Sequence, residues 1–277
     1  MSRNRGRVGD TEKKPENTGA PIQQMANDAP ETAAFSFVVP TEFVELPSKG
    51  RYYPENHPLH NQETLEIKQM TAKEEDILTS RTLLKKGIAL DRVIQSLICD
   101  KSIDPNTLLM GDKNALIVAI RATSYGNIYE TTVDCPACGT SQEHSFDLGA
   151  LESYEGRAFE GLNVVENDDG TFTTVLPRSG AEIAFKLLNG HDERKLTNLA
   201  ESDKKRRRDR TVTRQLETTI VSVNGSTELE NIRYVVENMP SADARHLRTS
   251  YRLAMPDLNM TQEFDCSECD YSGDMEV

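Results

Sequence analysis

The sequence predicts an α+β fold made of a helical unit, a small β-sheet and a ribbon split between two distant cysteine pairs. Three observations lead there. Apolar residues recur at helical spacing between residues 71 and 126. Short alternating apolar segments, separated by turn residues, occupy 162–188. Four of the five cysteines fall in two Cys-x-x-Cys pairs, Cys135/Cys138 and Cys266/Cys269, and strand-like sequence flanks each pair.

A chain of 277 residues has room for one large domain or two ordinary ones. Lys and Arg number 32 against 45 Asp and Glu, so the net charge of −13 repels phosphate and argues against duplex nucleic acid as the main partner. No run approaches the roughly 18 apolar residues that a membrane helix needs, and no apolar h-region opens the chain. The expectation is a soluble intracellular protein with no membrane partner.

Taken in order, residues 1–33 are polar and evenly charged, and read as a disordered arm. An extended segment follows over 34–70, with β-like runs at Phe35–Val39 and Glu42–Leu46, a turn at Pro47–Gly50 and a half-buried strand at Leu65–Gln69. The helical unit spans 71–126. Thr71 and Glu74 form a capping box that opens its first helix, and Gly87 closes the next stretch. Ala89–Cys99 carries Leu90, Val93, Ile94, Leu97 and Ile98 on one face. Asp104-Pro105 begins a short helix, Asp112 is placed as the cap of a helix running from Lys113 to Ser124, and Tyr125-Gly126 ends it.

The first cysteine pair lies in 127–150. An insert over 151–256 then reads as a hairpin (Leu162–Val165 and Thr171–Leu176), a third strand at Glu182–Leu188, a helix at Asp192–Ala200, and mostly helical sequence at 209–223, 228–238 and 241–254. The second pair lies in 257–277.

Two residues between thiolates let both sulfurs face one ion at about 2.3 Å, and two such knuckles complete a tetrahedron. Residues 139–265 lie between the pairs, whereas a self-contained ribbon has roughly 15–20. Closing so long a loop costs on the order of 4–5 kcal/mol. Structural zinc supplies on the order of 10–16 kcal/mol at neutral pH, so the metal wins that comparison. The expected ligands are therefore Cys135, Cys138, Cys266 and Cys269, and four thiolates close the site, which makes Zn²⁺ structural rather than catalytic. Two redox pairs or two disulfides are the alternatives, although a redox pair usually opens a helix after a buried strand. His144 reads as a spare ligand or, more simply, an exposed strand residue, and Cys99 as a core side chain.

No phosphate loop, dinucleotide fingerprint, zincin helix or nucleophile elbow occurs, and the five histidines (His57, His60, His144, His191 and His246) are scattered. The expectation is a non-enzymatic protein with no catalytic residues and no small-molecule substrate. The run Lys204–Arg210 could hold phosphates, but neighbouring acids dilute it and it has no aromatic side chain, so a solvated loop or an acidic protein partner is the preferred reading.

Several segments carry a resemblance. They are Glu45–Pro54, Met70–Leu78, Leu84–Gly87, Gly111–Leu116, the Tyr125-Gly126 step and the first cysteine knuckle. Over roughly residues 40–200 the chain resembles the baseplate hub subunit, or hub assembly chaperone, family of T-even-type contractile-tailed bacteriophages. The resemblance implies virion assembly in the host cytoplasm, a reducing compartment that suits thiolates on zinc. It implies contacts with hub and tail proteins, no catalytic residues, and either a transient chaperone or a subunit retained in the virion's tail baseplate. The zinc ribbon is expected to fix the helical unit against the insert. Pro47–Pro54 and Thr71–Leu78 are the expected contact segments, unless they are ordinary turn and cap chemistry. The competing reading is a zinc-ribbon nucleic-acid or transcription/replication accessory binding module.

Overall fold

The computed structural model describes residues 38–157, 159 and 161–277. The arm and Phe35–Phe37 lie outside the described residues, and Val38 and Val39 are not in a strand.

The alternating pattern before the helical unit forms an antiparallel hairpin, β1 (Thr41–Glu45) with β2 (Thr64–Lys68), in which Val44 sits opposite Leu65. Its buried side, Val44, Leu65 and Ile67, faces the helices. The connection between the strands turns inward as well. Leu46, Ser48, Tyr52 and Tyr53 are buried, leaving Lys49 and Pro54 exposed. Ser48 donates to Asp112 through its N–H (3.0 Å) and its hydroxyl (2.6 Å), and the Tyr53 hydroxyl donates to the same carboxylate at 2.7 Å. Pro47–Pro54 is thus an internal strap and not an open contact surface.

Five helices follow, one of them a single 3₁₀ turn. They are α1 (Ala72–Thr79), α2 (Arg81–Lys85), α3 (Ala89–Leu97), the 3₁₀ turn Pro105–Thr107 and α4 (Met110–Tyr125). Glu74 accepts from the Thr71 N–H at 3.1 Å and takes the Ser96 hydroxyl at 2.6 Å, so the cap that starts α1 also ties it to α3. Three expectations need correction here. Leu90 shares the face of Val93, Ile94 and Leu97 but is 49% exposed, because in the first turn of α3 it lines an open apolar groove with Val93, Ile94 and Tyr125. Cys99 is only half-buried: α3 ends at Leu97, and the Cys99 N–H bonds the Glu66 carbonyl of β2 at 3.1 Å. Asp112 sits inside the first turn of α4 rather than capping it: Leu109 holds the N-cap position without a side-chain cap, and the Asp112 carboxylate is turned to Ser48 and Tyr53 instead.

The next elements are β3 (Ile128–Asp134), β4 (Ser141–Asp147) and β5 (Glu152–Tyr154). The insert holds a four-stranded antiparallel sheet of β6 (Val164–Glu166), β7 (Thr171–Val175), β8 (Glu182–Lys186) and β9 (Ile220–Val223), in that order. Helices α5 (Gly190–Lys205), α6 (Thr211–Thr219), α7 (Leu229–Asn238) and α8 (Ser241–Ala254) complete it. The helix expected over 209–223 stops at Thr219. Ile220, Val221 and Val223 are stiff at χ1 and pack better on a pleated surface, and Asn224-Gly225, both at positive φ, turn the chain out. Phe172 and Phe185, stacked at 5.5 Å, form the buried side of the sheet, and one apolar core runs from there through α6, α7 and α8 to α3, α4 and the first hairpin. The chain ends with β10 (Asp257–Asn259), β11 (Thr261–Asp265) and β12 (Ser272–Glu276). No helix among the described residues is long and apolar enough to cross a membrane.

Candidate metal centre

Each cysteine pair is the turn of an antiparallel hairpin. β3 pairs β4 from Ile128↔Asp147 to Asp134↔Ser141, and β11 pairs β12 from Thr261↔Glu276 to Asp265↔Ser272. The two turns share a hydrogen bond that closes the loop. The Cys135 N–H bonds the Thr140 carbonyl and the Cys266 N–H bonds the Tyr271 carbonyl, both at 2.9 Å. Gly139, at φ 72°, supplies the left-handed step of the first knuckle. In the second, the Glu268 N–H points at the Cys266 Sγ, 3.4 Å away.

The two turns meet. Cys135 Sγ lies 3.8 Å from Cys269 Sγ, Cys138 Sγ lies 3.7 Å from Cys266 Sγ, and all four sulfurs lie within 4.8 Å of one another. A regular tetrahedron with Zn–S of about 2.3 Å has edges of about 3.8 Å. A disulfide needs about 2.05 Å. The spacing therefore fits a divalent ion between the knuckles and does not fit cystine. Among the described residues this is the one group of His, Cys, Asp and Glu side chains that could share an ion. The thiols are already unequal. The Thr140 hydroxyl and N–H hold Cys138 down at about 6. Cys269 feels the Tyr271 N–H pulling it down, but burial and the three neighbouring sulfurs raise it to about 12. Four thiols this close cannot all ionise without a cation among them.

The sulfurs are held by two further devices. Two glutamines strap one hairpin to the other through main-chain groups. Gln142 of β4 donates to the Asp265 carbonyl (2.9 Å) and accepts the Ser267 N–H (2.8 Å). Gln262 of β11 accepts the Asp147 N–H (3.0 Å) and donates to its carbonyl (2.6 Å). Each side-chain amide thus behaves as a peptide unit between hairpins. Between the hairpins, Phe146 of β4 and Phe264 of β11 are buried, and the ring of His144 meets both edge-on at 4.6 and 5.2 Å. His144 is part of an aromatic clasp, not a ligand. The other histidines lie elsewhere: His57 bonds the Thr107 hydroxyl, His60 the Tyr53 carbonyl, His191 faces Asp104 and His246 faces Thr174.

The long separation of the pairs has a structural reason. β5, just after the first hairpin, pairs with β10, just before the second, so the insert leaves and returns through one two-stranded gate. The gate is pressed on α4. A Cβ on Gly111 would lie 1.8 Å from the Pro256 carbonyl oxygen, so only glycine permits this approach. Asn114 adds hydrogen bonds of 3.1 Å to both carboxylate oxygens of Asp257. The cysteines were legible from spacing and Gly111 opened a segment that carries the resemblance, whereas Gln142 and Gln262 were only weakly marked. The one signal was an unusual polar residue facing inward from an alternating strand.

Residues 39–277 match the family described as T4 bacteriophage base plate protein. The chain belongs to this family. No curated protein and no solved structure matches it. The matched residues include both hairpins and the insert between them.

Proposed function

We propose that this baseplate protein acts without catalysis in assembly of the central hub, as a hub subunit or hub assembly chaperone, through contacts with other hub and tail proteins. Cys135, Cys138, Cys266 and Cys269 hold a structural Zn²⁺ in this reading. Assembly takes place in the host cytoplasm, and a retained subunit would remain in the tail baseplate. The observation that carries the zinc assignment is the tetrahedron-sized sulfur cluster between hairpins at opposite ends of a long insert. The metal supplies charge neutralisation and four bonds. The chain's own residues aim the sulfurs from two hairpin turns, join the hairpins through the His144 contacts with Phe146 and Phe264, and lock them with Gln142 and Gln262. Within this reading, 127–150 and 257–277 are the two halves of one ribbon, flanking the 151–256 insert and following the 71–126 helical unit. The hub role rests on the family and on the resemblance of the Glu45–Pro54 and Met70–Leu78 segments.

Quantitative peptide counting in mature particles and in tail-assembly intermediates tests the role. Stoichiometric presence in particles identifies a subunit, and presence in intermediates alone identifies a chaperone. Absence from both refutes the hub reading and favours the zinc-ribbon accessory module.

A further inference from the structure

The chain carries net charge −13, yet two neighbouring grooves are bordered by cations that have no ion pair among the described residues. The last two residues of α5, Lys204 and Lys205, and Arg206–Arg208 of the connection to α6 are all exposed. One side of α8 holds Arg245, Arg248 and Arg252, also exposed. None of these side chains has an ion pair among the described residues, although Arg210 and Arg214 next to them are paired with Glu237 and Asp203. Those pairs fix the connection. Asp203, itself buried, also accepts the Arg208 N–H on its main-chain carbonyl at 2.9 Å.

Two grooves run through this face. One of about 670 Å³ lies between α5 and α6, with Leu196 and Ala200 in its wall and Lys204, Arg207 and Arg208 at its rim. The other, of about 420 Å³, lies between α6 and α8, with Leu216 and Met255 in its wall and the three α8 arginines around it. They meet at Gln215, which lines both. The α8 arginines are spaced three and four residues apart, so their guanidinium forks follow one helix face over about 10 Å.

We infer that this face is the docking site for an acidic, amphipathic segment of a partner polypeptide. The inference rests on the reading that the chain works through protein–protein contacts, and it gives the partner's chemistry. Carboxylates on the segment pair with the Arg forks, which match them in bidentate geometry. Its apolar side chains fill the two grooves, as in helix-in-groove recognition. A phosphate backbone would use the cations but not the apolar walls. The aromatic residue that lines these grooves, Tyr251, is half-buried and tied to the Leu188 N–H, and the acidic remainder of the chain repels a long polyanion.

Fluorescence anisotropy with the full chain tests this. The probes are a Glu/Leu peptide with both residues at helical spacing, a scrambled peptide of the same composition, and a DNA duplex. The expected result is preference for the patterned peptide, and a loss of about tenfold or more for R245E/R248E/R252E and for R207E/R208E, given the worth of several exposed charge contacts together. R81E/K85E, exposed on α2 and lining neither groove, should bind as the wild type does. R245Q/R248Q/R252Q serves if thermal melting shows the reversed variant unfolded. Equal binding of the scrambled peptide, tighter binding of the duplex, or no change on charge reversal overturns the inference. The same variants are then counted in tail-assembly intermediates, where loss of incorporation is expected and wild-type incorporation of the reversed chains overturns it. If the wild-type chain is itself missing from intermediates, the hub reading fails while the peptide measurement still decides the surface.

Discussion

Replacing Asp112 tests how the 46–54 strap is fixed to α4. The carboxylate is fully buried and accepts three hydrogen bonds, from the Ser48 N–H, the Ser48 hydroxyl and the Tyr53 hydroxyl. Hydrogen bonds to a charged group contribute roughly 1.5 kcal/mol each or more, and Asp112→Ala also leaves the Ser48 N–H buried without a partner. Against this, burial pushes the Asp112 carboxyl above its ordinary value, so the variant is relieved of a disfavoured charge. The net cost should be about 3 kcal/mol. In a domain of this size that lowers Tm by about 6–12 °C. Asp112→Asn keeps the shape and one acceptor, so it should cost less, and its pH dependence is the sharper check. Because the folded pKa is raised, the folded wild type still holds a proton that the unfolded chain has released above 3.8. Wild-type stability from this group therefore falls as pH climbs from 3.8 through the raised folded value, and is constant beyond it. The D112N variant lacks that loss, so its deficit should be widest in acid and narrow toward neutral pH. Urea melts of both proteins across that range measure it. A deficit that widens with rising pH would mean that the three donors outweigh burial, and would refute the reasoning.

The remaining predictions concern the gate, the clasp and a second buried carboxylate. Gly111→Ala should destabilise by about 3 kcal/mol through overpacking against the Pro256 carbonyl, measured by thermal melting, whereas Gly180→Ala, whose Cβ would meet open space, should show only the cost of its positive φ. Phe264→Ala should cost about 3–5 kcal/mol and speed transfer of the metal to a chromogenic chelator, because the fully buried ring, two residues before Cys266, packs against His144 of the other hairpin. Asp243 behaves oppositely to Asp112. Burial pushes it up, but the N–H groups of Arg178 (2.8 Å) and Ser179 (2.9 Å) win and hold it below 3.8. Its stabilisation is therefore present above 3.8 and lost as pH falls through the lowered folded value, so the deficit of Asp243→Asn should be largest at neutral pH and shrink in acid.

What was legible in the sequence follows the range of the forces involved. The helix and strand starts that depend on a few neighbouring residues could be read directly: the Thr71–Glu74 cap, the Gly126 stop and the Asn167–Gly170 turn. The cysteine cluster was legible because metal coordination imposes a spacing that no fold-neutral pressure would repeat twice. Elements set by distant partners were not. β9 reads as the end of a helix until β8 is present to pair with it. Asp112 reads as a cap until a strap 64 residues earlier brings Ser48 to it. Gln142 and Gln262 are ordinary surface-strand residues until the opposite hairpin supplies main-chain groups more than 110 residues away. Nor does the sequence show that Lys204, Arg207 and Arg208 border a groove next to the one bordered by the α8 arginines, since α6 and α7 lie between them in the chain.

The most direct measurement is zinc K-edge X-ray absorption, with metal-to-protein stoichiometry, on the full chain purified without added metal. One zinc per chain, with four sulfurs at about 2.3 Å and no nitrogen or oxygen neighbour, is the expected result, and C266S/C269S should lose both the metal and thermal stability. A folded wild-type chain without zinc, or a shell containing nitrogen or oxygen, would contradict the four-cysteine staple.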